Sequence, residues 1–142
     1  DNLSNTPAQL QSLLDGYQAP AESGDDWGPR EIVAHLVDIE VLYRGRINDV
    51  LGHPGAYLKV IDENKLARDH DYGSSDLQQS LGTFAEERGE TISLLMNLAL
   101  RDWDKTGIHE ERGEVSVEEL AESLVNHDAE HLETIRALTS AG

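Results

Sequence analysis

The chain contains no cysteine among its 142 residues. That excludes a disulfide framework, a thiolate metal site and a nucleophilic cysteine. It also fits a reducing compartment. Positive charge is scarce as well. Eleven basic residues face 28 acidic ones, for a formal charge of −17. The eight arginines and three lysines are scattered rather than clustered. Such a surface repels phosphate backbones and anionic membrane faces, so neither nucleic acid nor membrane is expected as a partner. The acidity reads as solubility.

Long apolar runs are missing too: no stretch approaches the roughly 18 residues of a membrane span. The start, Asp1-Asn2-Leu3-Ser4, has no basic segment leading into an apolar one, so no signal peptide is visible. The expectation is a soluble cytoplasmic protein. The start lacks an initiator methionine, which suggests trimming. Internal repeats, low-complexity tracts and interdomain linkers are also lacking, and the length suits one domain over residues 1–142.

What the chain does have is four segments with apolar residues at helical spacing. The first runs from about Pro7 to Tyr17, with Thr6 as its cap, Pro7 at the first helical position and Leu10, Leu13, Leu14 and Tyr17 on one face. Gly16 and the following stretch with Pro20 and Gly24 should end it. The second starts at Pro29-Arg30-Glu31 and carries Ile32, Leu36, Ile39, Tyr43, Ile47 and Val50 to a stop at Gly52-His53-Pro54-Gly55. Val33, Val37 and Val41 widen its stripe. Residues 53 to 74 form a long connection with a short helix expected near Leu58 to Leu66.

A third helix starts at Ser74 or Ser75, with Leu77, Leu81, Phe84, Ile92, Leu95 and Leu98 inward. Gly82 and Gly89 weaken it, each by about 1 kcal/mol relative to alanine. A turn over Asp102 to Glu114 precedes the capping box Ser116-Val117-Glu118-Glu119, which opens a fourth helix to about Leu138. No strand pattern stands out. The expected fold is therefore all-α: a four-helix bundle with a long crossover connection between helices 2 and 3.

Three histidines interrupt the apolar seams. The inward positions of the last helix run Val117, Leu120, Leu124, His127, His131, Ile135 and Leu138, in steps of three and four. The pair His127 and His131 thus replaces apolar residues and points from one face, as two ligands of one ion require. His35 holds the comparable place between Ile32 and Ile39. The alternative is that these rings are boundary residues bonded to acids such as Asp38, Asp128 or Glu130. Against it, burying an unpaired polar ring costs roughly 1–3 kcal/mol. The spacing leaves both open.

The segment His127-Asp128-Ala129-Glu130-His131 also matches the H-x-x-E-H pattern of inverted zinc peptidases. Only eleven residues follow His131, and Glu130 lies off the histidine stripe, so that reading is rejected.

With these residues placed, the sequence resembles the DinB-like superfamily of bacterial four-helix bundles, which includes YfiT-type metal hydrolases. This is the damage-inducible bundle family, distinct from the polymerase that shares the name. The resemblance is carried by Trp27, Arg30-Glu31-Ile32-Val33-Ala34-His35-Leu36 through Glu40, Asp102-Trp103, Gly107, His109, Gly113 and the block His127 to Ile135. It implies a divalent metal held by His35, His127 and His131, typically zinc or nickel, with iron or manganese as alternatives. It also implies the long crossover and a homodimer.

Three neutral imidazoles leave an ion its full charge and an open position, which can activate water or a small thiol. The resemblance favours a thiol-dependent S-transferase acting on a small electrophile. A metal-dependent hydrolase and a non-catalytic, metal-stapled stress or interaction protein are the alternatives. The expected partners are a small-molecule substrate and a low-molecular-weight thiol. Arg44, Arg46 and Arg88 are candidate contacts for an anionic substrate, although exposed surface arginine is the favoured reading for each. Asp38, Asp128 and Glu130 are candidates to orient the histidines. His53, His70 and His109 fall in expected loops, and Trp27 and Trp103 are expected to close the ends of the core.

Overall fold

The computed structural model describes residues 2–17 and 27–140. Four long helices carry the bundle: α1 (Asn2–Leu13), α2 (Pro29–Gly52), α4 (Leu77–Met96) and α5 (Val117–Ser140). A short α3 (Glu63–His70) lies in the connection between α2 and α4. This is the expected four-helix bundle with its long crossover.

The helix starts follow local chemistry. Pro29 opens α2, and Glu31 accepts the Gly28 amide at 2.8 Å. The Asp76 side chain accepts the Gln78 amide and caps α4, so that helix begins at Leu77 rather than at Ser74 or Ser75. Ser75 instead closes a 3₁₀ turn over Tyr72–Ser74. At α5 the capping box forms as expected: Ser116 Oγ accepts the Glu119 amide at 3.0 Å and Glu119 Oε1 accepts the Ser116 amide at 2.9 Å.

Two further expectations need correction, and one lies beyond test. The first helix begins at Asn2, so Pro7 lies inside it and Thr6 is no cap. The stop expected at Pro20 and Gly24 lies outside the described residues. The short connecting helix begins at Glu63, capped by Asp62, while Leu58 belongs to a strand.

That strand is part of a small sheet the helical reading did not foresee. Strands β1 (Tyr57–Leu58), β2 (Thr106–His109) and β3 (Gly113–Ser116) lie in that order. The β1–β2 pairing is parallel and β2–β3 is an antiparallel hairpin closed by Gly113 at φ +77°. At Gly107 a Cβ would stand 2.8 Å from both the Ala56 carbonyl and Val50 Cγ2, so only glycine lets β2 pass the end of α2.

The core divides into two apolar clusters. One gathers Ile39, Ile47, Val50, Leu95, Leu120 and Leu124, and the other Leu10, Leu14, Ile32, Leu36, Phe84 and Ile135. Along α1, α4 and α5, polar residues separate the stretch facing one cluster from the stretch facing the other: Thr6, Arg88 with Thr91, and His127 with Asp128; on α2, His35 and Glu40 stand on either side of that change-over. Among the described residues, no helix is long and apolar enough to cross a membrane.

Candidate metal centre

The histidines come together from α2 and α5. One ring nitrogen from each of His35, His127 and His131 lies within 4.8 Å of the others. The Nε2 atoms of His127 and His131 are 3.4 Å apart, as i, i+4 spacing on one helix face allows. Among the described residues these three histidines are the group whose ligand atoms all lie within 4.8 Å of one another, and Glu63 is not part of it.

His35 is fully buried, and neither of its ring nitrogens has a hydrogen-bond partner. Its ring is held instead by aromatic contacts, with Trp27 at 5.0 Å and Tyr72 at 6.0 Å between centroids. Trp27 therefore shapes the back wall of the cluster, whereas Trp103 packs against the first apolar cluster. Burial and then the neighbouring His131 and His127 push the pKa of His35 down from 6.5 to about 4. Burial and then His127 bring His131 to about 4 as well. Both rings are neutral at pH 7, the state in which imidazole donates a lone pair to a cation.

The front of the cluster opens into a cavity of about 360 Å³ that reaches Tyr43, Arg46, Glu63, His109 and Glu130. Of the three candidate arginines, Arg46 lines this space. It donates to the Lys59 carbonyl, and its guanidinium carbon lies 5.7 Å from the Tyr43 ring centroid. Arg44 turns away and pairs with Glu87 at 2.6 Å. His109 reaches the cavity as a wall residue. The amides of Glu111 and Arg112 both donate to its Nδ1 at 3.1 Å, which fixes the proton on Nε2.

The acids expected to orient the histidines are used otherwise. Asp38 accepts from Tyr72 Oη at 2.6 Å and lies 2.5 Å from His70 Nδ1, so it ties the crossover to α2. Burial, then this hydrogen bond, raises the Tyr72 pKa well above its ordinary value. His70 is thus an anchored residue rather than a free loop histidine. Glu130 is exposed at the cavity rim.

Asp128 belongs to a second cluster centred on Arg88, which is 1 % exposed and no surface residue. Its five N–H groups are all used. Nε and Nη2 donate to Glu40, Nη2 and Nη1 to Asp128, and Nη1 to the Leu3 carbonyl, each at 2.8–2.9 Å. Pro7 has no N–H to offer that carbonyl four residues earlier, which is why α1 can lend it to Arg88. Thr6 donates to Asp128 at 2.8 Å. Burial opposes the guanidinium charge, but the hydrogen bonds Arg88 donates to Asp128 and Glu40 outweigh it and raise the Arg88 pKa.

The sequence reading offered Arg88 as a substrate contact or surface charge and missed its buried role, and it missed Glu63 altogether. Arg88 continues the α4 stripe Leu77, Leu81, Phe84, Arg88, Thr91, Leu95 at steps of four and three, and that spacing was the available signal. Glu63, whose Oε1 lies 3.0 Å from His35 Nε2, comes from the crossover, and no local pattern marks it.

Comparison with known proteins places this geometry in context. Residues 3–135 match the family profile described as the DinB superfamily. Among solved structures, the chain is similar to YfiT from Bacillus subtilis, described as a probable metal-dependent hydrolase with an unusual four-helix bundle topology. The TM-score is 0.87 at 20 % identity, over 99 % of this chain and 83 % of that one. No curated protein sequence matches the chain.

Proposed function

The chain belongs to the DinB superfamily, and from that premise we propose that it is a divalent-metal-dependent enzyme, with His35, His127 and His131 as the ligands and a small thiol as co-substrate. The observation that carries the reading is the convergence of three imidazoles, with His35 buried and neither of its ring nitrogens hydrogen-bonded. An orphaned buried ring costs roughly 1–3 kcal/mol, and a cation that takes its lone pair removes that cost. Imidazole sets of this kind suit zinc and nickel. When bound, such an ion activates a nucleophile, water or a thiol, by lowering its pKa.

The chain's own side chains provide the rest of the site. Arg46 offers the cavity a cation for the anionic end of a thiol or substrate, against the repulsion of a −17 surface. Tyr43 forms one wall and His109 another, with its Nε2 proton available for donation. The cavity, about 360 Å³, suits a small molecule rather than a polymer. The chain has no thiol of its own, so S-transfer to an electrophile draws the sulfur from a low-molecular-weight thiol. A homodimer working in the cytoplasm belongs to the same reading and is checked by light scattering of purified protein.

Hydrolysis is the second reading, favoured by the description of YfiT from Bacillus subtilis as a metal-dependent hydrolase. The same cavity would then hold a water and an ester or amide. A third, non-catalytic reading makes the ion a staple between α2 and α5. An activity panel separates them. Metal-loaded protein is offered small thiols with electrophiles, and separately esters and amides, with chelated protein as control. Metal-dependent thiol consumption is the expected result. Turnover of esters alone would move the assignment to hydrolysis, and silence in every arm, with a large loss of melting temperature on chelation, would leave the staple.

A further inference from the structure

Glu63 begins α3, in the middle of the crossover, yet its carboxylate reaches the histidines. Oε1 lies 3.0 Å from His35 Nε2 and 3.9 Å from His127 Nε2. We propose that Glu63 is a fourth, exchangeable protein ligand of the ion held by His35, His127 and His131. The proposal rests on the metal-centre reading above.

The distances from Glu63 to His35 and His127 suit a shared coordination shell. Ligand atoms about 2.0–2.1 Å from a tetrahedral ion stand about 3.3 Å from one another. The His127 and His131 nitrogens are 3.4 Å apart, and the two Glu63 distances fall on either side of the same value. Direction agrees with distance. His35 Nε2 has no hydrogen-bond partner although the carboxylate is 3.0 Å away, so the oxygen stands beside the N–H axis rather than on it. A hydrogen bond places the acceptor on that axis. Two ligands aimed at a common third point approach each other off-axis, as here.

The attachment of Glu63 makes it exchangeable. Its side chain is 55 % exposed, against 1 % for His35. The whole of α3 buries none of its residues. Glu63 can therefore swing out of the shell without disturbing the core, while the histidines stay fixed by α2 and α5. With the ion bound, the carboxylate, which lines the cavity, would take one coordination position and lower the net charge of the centre. A substrate or thiol entering past Arg46 competes with it for that place.

Cobalt(II) alone, added to the metal-free full chain, tests the assignment. The wild type is compared with Glu63→Ala, Glu63→Gln and, as a control on the same cavity, Glu130→Gln. The readouts are the visible ligand-field spectrum and the affinity by chelator competition. We expect both Glu63 variants to bind cobalt about tenfold more weakly or worse, with a changed spectrum, and Glu130→Gln to match the wild type. The metal-free melting temperatures should coincide, because the Glu63 side chain is more than half exposed and belongs to neither apolar cluster. Unchanged affinity and superimposable spectra in the Glu63 variants would overturn the fourth ligand and leave the three-histidine centre standing. An equal loss in Glu130→Gln would overturn it too, since the effect would then be cavity charge alone. Failure of the wild type to bind cobalt would remove the whole centre.

Discussion

Two polar clusters meet the apolar core in the middle of the bundle, and they differ in how completely they are satisfied. Around Arg88 of α4, every guanidinium N–H has an acceptor, and α1, α2 and α5 each contribute a partner. Around His35, a ring just as deeply buried has no hydrogen bond to either nitrogen. Packing cannot explain the second, because burying polar atoms unpaired is costly while an apolar residue would fit the stripe. A closed network is what a structural role needs. Unused lone pairs are what a ligand site needs. Adjacent residues of α5, His127 and Asp128, serve one cluster each, so the two roles are separated by a single residue.

The largest way to break the comparison is to open the closed network. Arg88→Met leaves Glu40 and Asp128 buried without their countercharge, and it should cost about 3–5 kcal/mol in denaturant unfolding. A loss below about 1 kcal/mol would mean that the network is not the clasp described here. The contrasting change is His127→Leu with His131→Leu, which extends the apolar stripe of α5. The metal-free double variant should be as stable as the wild type or more so. It should lose the gain that the wild type shows with metal, about 2.7 kcal/mol at a hundredfold excess over Kd. If the double variant unfolds without metal, the histidines are packing residues after all.

Acid sharpens the same contrast. His35 and His131 have folded pKa values of about 4, against an ordinary 6.5. Between those pH values the unfolded chain takes up protons that the folded one refuses. Stability of the metal-free protein should therefore be fully present above pH 6.5 and fall as the pH drops toward 4. Thermal melts across that window should show the slope, and His131→Leu should flatten it. The smallest expected effect lies at the crossover. Asp38→Asn weakens the bonds from Tyr72 and His70 and should cost about 1 kcal/mol, because the site is only partly buried.

How much of this was legible in the sequence depended on whether a feature is periodic. The four long helices follow from apolar residues at steps of three and four. The histidine triad was visible because three rings replaced members of those stripes. Arg88 was visible in principle, since it sits on the α4 stripe between Phe84 and Leu95, but a charge in that position reads as a surface residue until its partners are placed. The partners come from three other helices, and no local pattern joins them. The sheet was hidden for another reason. Its strands are two to four residues long, too short for alternation to emerge, and only Leu58, Gly107 and Val115 are buried. The start of α1 was misplaced because Pro7 reads as a first-turn residue, whereas its missing N–H is used deeper in the helix. Glu63 was out of reach, because only the path of the crossover brings it to His35.

Calorimetric titration of the metal-free chain with zinc measures the central claim most directly. The account predicts one ion bound per chain, with binding lost in His35→Leu and in the His127→Leu, His131→Leu pair while both variants remain folded. Absence of zinc binding by the wild type, or binding that survives removal of these imidazoles, would contradict it.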